Sequence, residues 1–448
     1  MFKKVLVANR GEIALHIVRT LKEMAIPSVS VYSKADASSL HVQLADEAVC
    51  IGGNRPQESY LNMQNILSAA IGTGCDAIHP GYGFLSENSQ FAEMCEACGI
   101  TFIGPSSNVI AQMGDKSQAK ISMQAAAVPL IPGSAGPLAD FEQAEEIAAR
   151  VGYPVMLKAV AGGGGKGIRF VESAEQLADS YAQAQLEAAG AFGNDQLYLE
   201  KIMLNVKHIE VQIFRDQFGN AVYFPERDCS MQRFKQKVIE ETPCQLITEA
   251  QRQQLGAIAL KAAEQINYVN TGTVEFLMDE AHQFYFLEMN TRIQVEHPVT
   301  EMVTGIDLVQ EQINVAAGLP LSFTQADVQS RGYALECRLN AEDPANHFAP
   351  SAGTINYLYL PAGNLGVRID THLYSGYAIS PFYDAMIAKL ITWGATREIA
   401  IAKMRRLLSE LIVSGIQTNA QFQQTLLIDP VFLDGTVTTD YLTNKETE

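Results

Sequence analysis

The chain has 448 residues, 47% of them hydrophobic, and its 50 acidic against 32 basic side chains give a formal net charge of −18. That balance disfavours nucleic acid and anionic membrane surfaces as partners, so an anionic substrate must be met by locally gathered cations. No apolar run approaches membrane-spanning length, and the chain exceeds what a single core usually fills, so two or three domains are expected. The N-terminus runs straight into a strand-like segment with no signal-like apolar region, and the seven scattered cysteines are an odd number, which argues against a disulfide framework. A reducing, cytoplasmic setting is the expectation, with Cys95 and Cys98 read as two small residues at a helix end rather than a redox or metal pair.

In chain order, apolar strands over 4–8, 29–32, 48–51, 76–78 and 101–104 alternate with helices from Ile13 to about Ala25, from Tyr60 and from Asn88. Such a βα series folds as a parallel sheet covered by helices. The loop His79-Pro80-Gly81-Tyr82-Gly83-Phe84 follows a strand's carboxyl end, where open α/β sheets bind ligands; a plain Gly-Pro turn is the other reading. A second unit begins near Lys116, with a helix over 141–151 and a strand over 154–158 that ends in Lys158. The run Gly162-Gly163-Gly164-Gly165-Lys166-Gly167 then leads into another strand, over 168–171. Joining strand to strand excludes a dinucleotide-binding turn, and Lys166-Gly167 lacks the Ser or Thr of a P-loop. Four glycines still let backbone amides approach phosphate oxygens and give the loop the mobility of a lid. A flexible surface hairpin is the alternative, and the positive charge of the flanking Lys158 and Lys166 weighs against it.

After a helix over 174–189, the edge segment 196–201 carries Glu200 and Lys201 and has backbone free to bond an adenine rim. Antiparallel strands are expected over 207–216, 221–226 and 232–240, the last running from Gln232 and placing Lys235 and Lys237 on one face. Helices follow over 249–266 and 303–317, then a linker at 325–329. A last unit has a strand over 333–339, hairpin-like strands to 383 and an amphipathic helix over 398–411.

The chemistry centres on residues 271–297. Strands over 271–278 and 284–290, joined by Asp279-Glu280-Ala281-His282-Gln283, form a hairpin that sets Glu275 opposite Glu288 or within a residue of it. Facing carboxylates repel, and a bound cation is the simplest relief; the oxygen ligands Glu275, Glu288 and Asn290 suit Mg²⁺ or Mn²⁺ rather than zinc. From there Glu288, Asn290, Arg292, Gln294 and Glu296 alternate with mostly apolar residues, so they share one face in extended backbone. A solvated strand face would also alternate, but it would favour Lys, Thr and Ser over acid, amide, base, amide, acid. A straight strand would part Glu288 and Glu296 by roughly 26 Å, so the backbone is predicted to leave the strand near Arg292 and curl back.

These residues resemble the biotin carboxylase family of the ATP-grasp superfamily. The matching blocks are Ala8-Asn9-Arg10-Gly11-Glu12-Ile13-Ala14, the segment from His79 to Asn88, Met113-Gly114-Asp115-Lys116 and the glycine run. Further on come the segments from Glu226 to Arg233, from Glu288 to Glu301 and from Glu336 to Asp343, all in family order. The resemblance implies an ATP-grasp fold of mixed α/β and α+β class. It would have an N-terminal parallel α/β domain (1–113), an ATP-grasp domain (114–330) with a lid at about 131–204, and a β-rich C-terminal domain (331–448). It implies a nucleotide site from Lys116, Lys158, Gly163, Gly164, Gly165, Lys166, Glu200, Lys201, His208, Gln232 and Lys235, with Glu275 and Glu288 carrying the metal beside Asn290. Lys237, Arg292, Gln294 and the backbone of Val295 would clamp bicarbonate, Glu296 would be the general base, and Arg338 and Tyr82 would face biotin.

The implied activity is ATP- and bicarbonate-dependent carboxylation of biotin as the first half-reaction of acetyl-CoA carboxylase. A biotin carboxylase subunit of another acyl-CoA carboxylase, or a different ATP-grasp ligase, is the alternative. With no Met-Lys-Met attachment motif in the chain, biotin is expected on a separate biotin carboxyl carrier protein, with carboxyltransferase subunits as partners and a homodimeric assembly. Three departures stand out. Phe234-Lys235 replaces a common Arg-His, Lys166 stands where arginine is frequent, and His16 replaces an often-seen arginine on the first helix. His297 is read as structural, and His208 as a nucleotide contact only through the resemblance.

Overall fold

The computed structural model describes residues 1–160 and 168–447. The expectations for Gly163, Gly164, Gly165 and Lys166 fall outside the described residues. The N-terminal unit is a five-stranded parallel sheet in the order Glu47–Gly52, Ser28–Ser33, Val5–Val7, Ala77–His79, Thr101–Phe102. Its central strands are buried on both faces, which is why Val5–Val7 is an unbroken apolar run. The 79–84 loop leaves the carboxyl end of Ala77–His79 and is held by Asn9, whose Nδ2 donates to Pro80 O and Tyr82 O at 2.7 Å each. Gly81 sits there at φ +62°, with Asn9 only 3.0 Å from where a Cβ would lie, so a side chain would disturb the bonds that aim Tyr82.

The second sheet runs through most of the molecule. Its order is Phe284–Asn290, Asn270–Met278, Lys207–Arg215, Arg227–Arg233, Gln236–Thr242, Tyr333–Asn340, Met386–Gly394, Val367–Thr371, all antiparallel, with Ala221–Tyr223 added beside Lys207–Arg215. The pairing of Gln236–Thr242 with Tyr333–Asn340 joins strands from either side of the 325–329 segment, which itself lies in no strand, into one sheet. A separate three-stranded antiparallel sheet, Ile168–Val171, Val155–Ala159 and Leu197–Lys201, packs against helices Phe141–Val151 and Ala174–Phe192. No described helix is long and apolar enough to cross a membrane.

Two expected elements are broken. The helix over 303–317 is two helices, His297–Thr304 and Leu308–Ala316. Gly305 caps the first in the left-handed region at φ 73°, and the Asp307 side chain caps the second by accepting from Gln310 N. The apolar spacing runs through both pieces, so periodicity merges them. The strand over 232–240 is a hairpin turning at Phe234 (φ 48°) and Lys235 (φ 62°). Two positive φ values make the tight turn that twisted strands favour, but without the usual Asn-Gly it carries no sequence signal. Lys235 therefore sits exposed in the turn and not on a strand face with Lys237, while Arg233 lies between the Phe234 and Phe348 rings at 4.5 and 3.7 Å.

Candidate active site

A cleft of about 1590 Å³ gathers Tyr82, Lys116, Lys158, His208, Glu275 and Glu288 with Asn290, Arg292, Gln294, Val295 and Glu296. Its floor is a rung of charge across four adjacent strands. Glu288 stands opposite Glu275, Glu275 opposite Glu210, and Glu210 opposite Arg227. Lys237 rises from the next strand, its Nζ 2.6 Å from Glu210, 3.0 Å from Glu275 and 2.6 Å from Glu296. Burial works against these charges; pairing outweighs it for Lys237, which stays protonated, and for Glu275, held well below the ordinary carboxylate range, whereas burial and the Glu296 charge push Glu210 upward.

Glu288 differs. Although its side chain is open to solvent, desolvation by the surrounding protein, and then the neighbouring Glu275 charge, push its carboxyl upward, and among the described residues no cation lies within ion-pair distance of it. Two carboxylates in register, one without a counter-charge, with the Asn290 amide two residues along the same strand, make an all-oxygen donor set that fits a hard divalent cation.

The chain leaves the strand after Asn290, as the spacing requires, and turns back over this rung. Gln294 Nε2 donates to Glu275 Oε1 at 2.7 Å, and Gln294 Oε1 accepts from the Arg227 guanidinium at 3.0 Å. Arg292 is steadied by Glu87 Oε2 (2.8 Å) and Asn290 Oδ1 (2.8 Å), while Thr291 N donates to the other Glu87 oxygen. Glu296 stands at the start of helix His297–Thr304, between Lys237 and the Arg338 guanidinium at 2.9 Å. Burial opposes its charge, but Lys237, Arg338 and Arg227 together hold it well below the ordinary carboxylate range. Glu275, Glu288 and Glu296 therefore share one cleft.

On the nucleotide side, Lys116 opens a helix capped by Asp115, and both Glu200 oxygens are held, one by Lys158 and one by Lys120. His208 Nε2 lies 3.1 Å from Glu275, and its Nδ1 is 2.7 Å from Gln232 Nε2. The Lys201 side chain is not brought to this group. Successive strand residues face opposite ways, and its Nζ donates to Gly152 O and Tyr153 O at 3.0 and 2.7 Å. Glu210, Glu87, Lys120 and Arg227 join the site without a role expected from the sequence. For Glu210 the sequence does carry a signal, because His208, Glu210 and Gln212 alternate with apolar residues as 288–296 does.

Behind Arg338, Glu240 accepts from its Nε and stands opposite Glu336 on the ladder, with Glu240 Oε2 and both Glu336 oxygens buried and unbonded. Burial, with Glu296 nearby, pushes Glu240 up to about 7 from 4.5, against the pull of Arg338. The folded protein thus keeps a proton that the unfolded chain releases. This contribution is complete below about 4.5 and is lost as pH rises through about 7. Relative to Glu240→Gln, wild-type stability should fall by up to about 3 kcal/mol between pH 5 and 7.5 and then level off. Denaturant melts of both proteins across that range measure it, and a pH-independent difference would contradict a protonated Glu240.

A parallel α/β unit, a three-stranded antiparallel cap and an antiparallel sheet carrying paired acids above a cation-lined cleft define an ATP-grasp enzyme. Known sequences agree. The family model "Biotin carboxylase, N-terminal domain" matches residues 1–110, "Carbamoyl-phosphate synthase L chain, ATP binding domain" matches 115–324, and "Biotin carboxylase C-terminal domain" matches 336–444. Biotin carboxylase 1 of Bacillus subtilis is 52% identical over 99% of this chain and 98% of its own length. Biotin carboxylase of Haemophilus influenzae is 53% identical over 99% of each. The biotin carboxylase domain dimer of Hydrogenobacter thermophilus 2-oxoglutarate carboxylase, solved with MgADP, ADP and bicarbonate, superposes with a TM-score of 0.91 at 50% identity, covering 100% of this chain and 98% of that one. The chain belongs to the biotin carboxylase family and is an ATP-dependent carboxylating ligase.

Proposed function

We propose that this chain carboxylates biotin carried on a separate carrier protein, using ATP and bicarbonate by way of carboxyphosphate, as the first half-reaction of acetyl-CoA carboxylase. The observation that carries this reading is the Glu296 carboxyl held between Lys237 and Arg338, beside the in-register acids Glu275 and Glu288. Its anion site is formed by Lys237, Arg292, Gln294 and the Val295 backbone. Bicarbonate drawing on Lys237 would weaken the compensation that keeps Glu296 acidic and place a second negative charge beside it. Both effects raise its basicity at the moment a proton must be taken.

The deprotonated bicarbonate oxygen then bonds to the γ-phosphorus as ADP leaves. Lys116 and Lys158 offset the crowded phosphate charge, and a divalent cation on Glu275, Glu288 and Asn290 would supply further neutralisation when bound. Carboxyphosphate splits to CO₂ and phosphate, the phosphate removes the biotin N1 proton, and N1 attacks CO₂. Arg338 stabilises charge on the ureido oxygen while Tyr82 lines the same cleft. The MgADP and bicarbonate in the Hydrogenobacter structure support this assignment of ligands. That relative also favours a second reading, in which the carboxylated biotin serves an acceptor other than acetyl-CoA. A homodimer fits the same relative, and a reducing cytoplasm fits seven free cysteines.

The test is ADP release by the purified chain with MgATP, with and without bicarbonate and free biotin; release indifferent to bicarbonate would overturn the reading. Supplying the carrier and a carboxyltransferase with acetyl-CoA or 2-oxoglutarate separates the two acceptors. Glu288→Lys puts an ammonium where the unpaired carboxylate stands and should lower Mg-dependent turnover by about 10²-fold or more. Retained turnover in that variant would dismiss the hairpin as the metal site.

A further inference from the structure

Lys389 is fully buried in the strand Met386–Gly394, and the mechanism above does not use it. Its Nζ donates to Val295 O at 3.0 Å and lies 3.1 Å from Glu12 Oε1, with Asp370 at 3.9 Å. The same Glu12 oxygen accepts from the Tyr82 hydroxyl. One peptide earlier, Gln294 O lies 2.8 Å from His297 Nδ1, and His297 Nε2 faces His16 Nδ1 at 3.3 Å. Glu12 and His16 are four residues apart on the first helix, Gly11–Glu23, and so share a face. Both carbonyls ahead of Glu296 are therefore fixed by buried groups tied to that helix. His16, His297 and Glu301 also converge as a metal site might, but Glu301 already takes Arg368 at 2.6 Å, so these histidines belong to the same scaffold.

We propose that Glu12 and Lys389 are positioning residues for the bicarbonate clamp. This rests on the reading of 292–296 as that clamp. The ammonium pins the peptide joining Val295 to Glu296, which sets the direction in which the Glu296 side chain departs. The shared Glu12 oxygen ties the Tyr82 loop to the same point, so the biotin-facing and bicarbonate-facing parts of the cleft are registered by one ion pair.

Wild type, Glu12→Gln, Lys389→Met and the double variant are compared in kcat, KM for bicarbonate, nucleotide Kd and Tm. Lys389→Met should raise KM for bicarbonate about tenfold or more while nucleotide Kd stays within about twofold. The double variant buries no unpaired charge, so it should recover Tm yet keep the raised KM, because Val295 O still lacks its donor. A structural role alone predicts that activity returns with Tm. A folded double variant with wild-type KM for bicarbonate overturns the proposal while leaving the clamp intact. A wild-type rate independent of bicarbonate overturns the clamp and this proposal together.

Discussion

Glu296→Gln is expected to cut bicarbonate-dependent ADP release by about 10²- to 10⁴-fold, the range for loss of a positioned general base. Nucleotide affinity should stay near that of wild type. The neighbours make this a clean experiment. Lys237 keeps Glu210 and Glu275 as partners, and Arg338 keeps its bond to Glu240, whose carboxyl ionises more readily once the Glu296 charge that helps push it up is gone, so neither cation is left buried without a counter-charge. Glutamine has the same shape and can still accept from Lys237 or Arg338, so the start of helix His297–Thr304 should hold. What disappears is the ability to take a proton. Steady-state ADP release against bicarbonate, alongside calorimetric nucleotide binding, separates the two effects; turnover at the wild-type rate would remove Glu296 from the base role.

Much of this site is legible in the sequence because a strand writes its face in every second residue. The acid-amide-base alternation from Glu288 to Glu296, and the spacing that sets Glu275 opposite Glu288, are local signals; the ladder realises the pairing and carries the alternation as far as Asn290. The departure after Asn290 follows from length alone, since one straight strand cannot bring Glu288 and Glu296 together. Other parts depend on partners remote in sequence. The pairing of Gln236–Thr242 with Tyr333–Asn340, which seats Arg338 beside Glu296, has no local signature. The turn at Phe234 and Lys235 is hidden because neither residue favours positive φ, and the neighbouring rings that flank Arg233 come partly from Phe348. Lys389 does leave a trace: a lone lysine inside the apolar run Met386–Gly394 signals a buried charge, but not that Glu12 and Val295 receive it.

The second large effect is expected at Arg227, whose side chain is 0% exposed. Its guanidinium binds Glu210 through Nε, Gln212 and Thr300 through one terminal nitrogen, and Thr273 and Gln294 through the other. It thus joins two neighbouring strands, the helix after Glu296 and the amide that steadies Glu275. Arg227→Met should cost about 3–5 kcal/mol, since Glu210 would keep only Lys237 and several polar groups would lose their donor. Denaturant unfolding measures that loss. Arg227→Lys separates charge from geometry. An ammonium can answer Glu210, so part of the stability should return, but it cannot fork to Gln212 and Gln294 at once. Gln294 then loses the bond that orients its amide, and kcat/KM for bicarbonate should stay about tenfold or more below wild type even where Tm recovers. If Arg227→Lys restored both together, Arg227 would be a counter-ion and nothing more, and the planar fork would have no part in shaping the anion site.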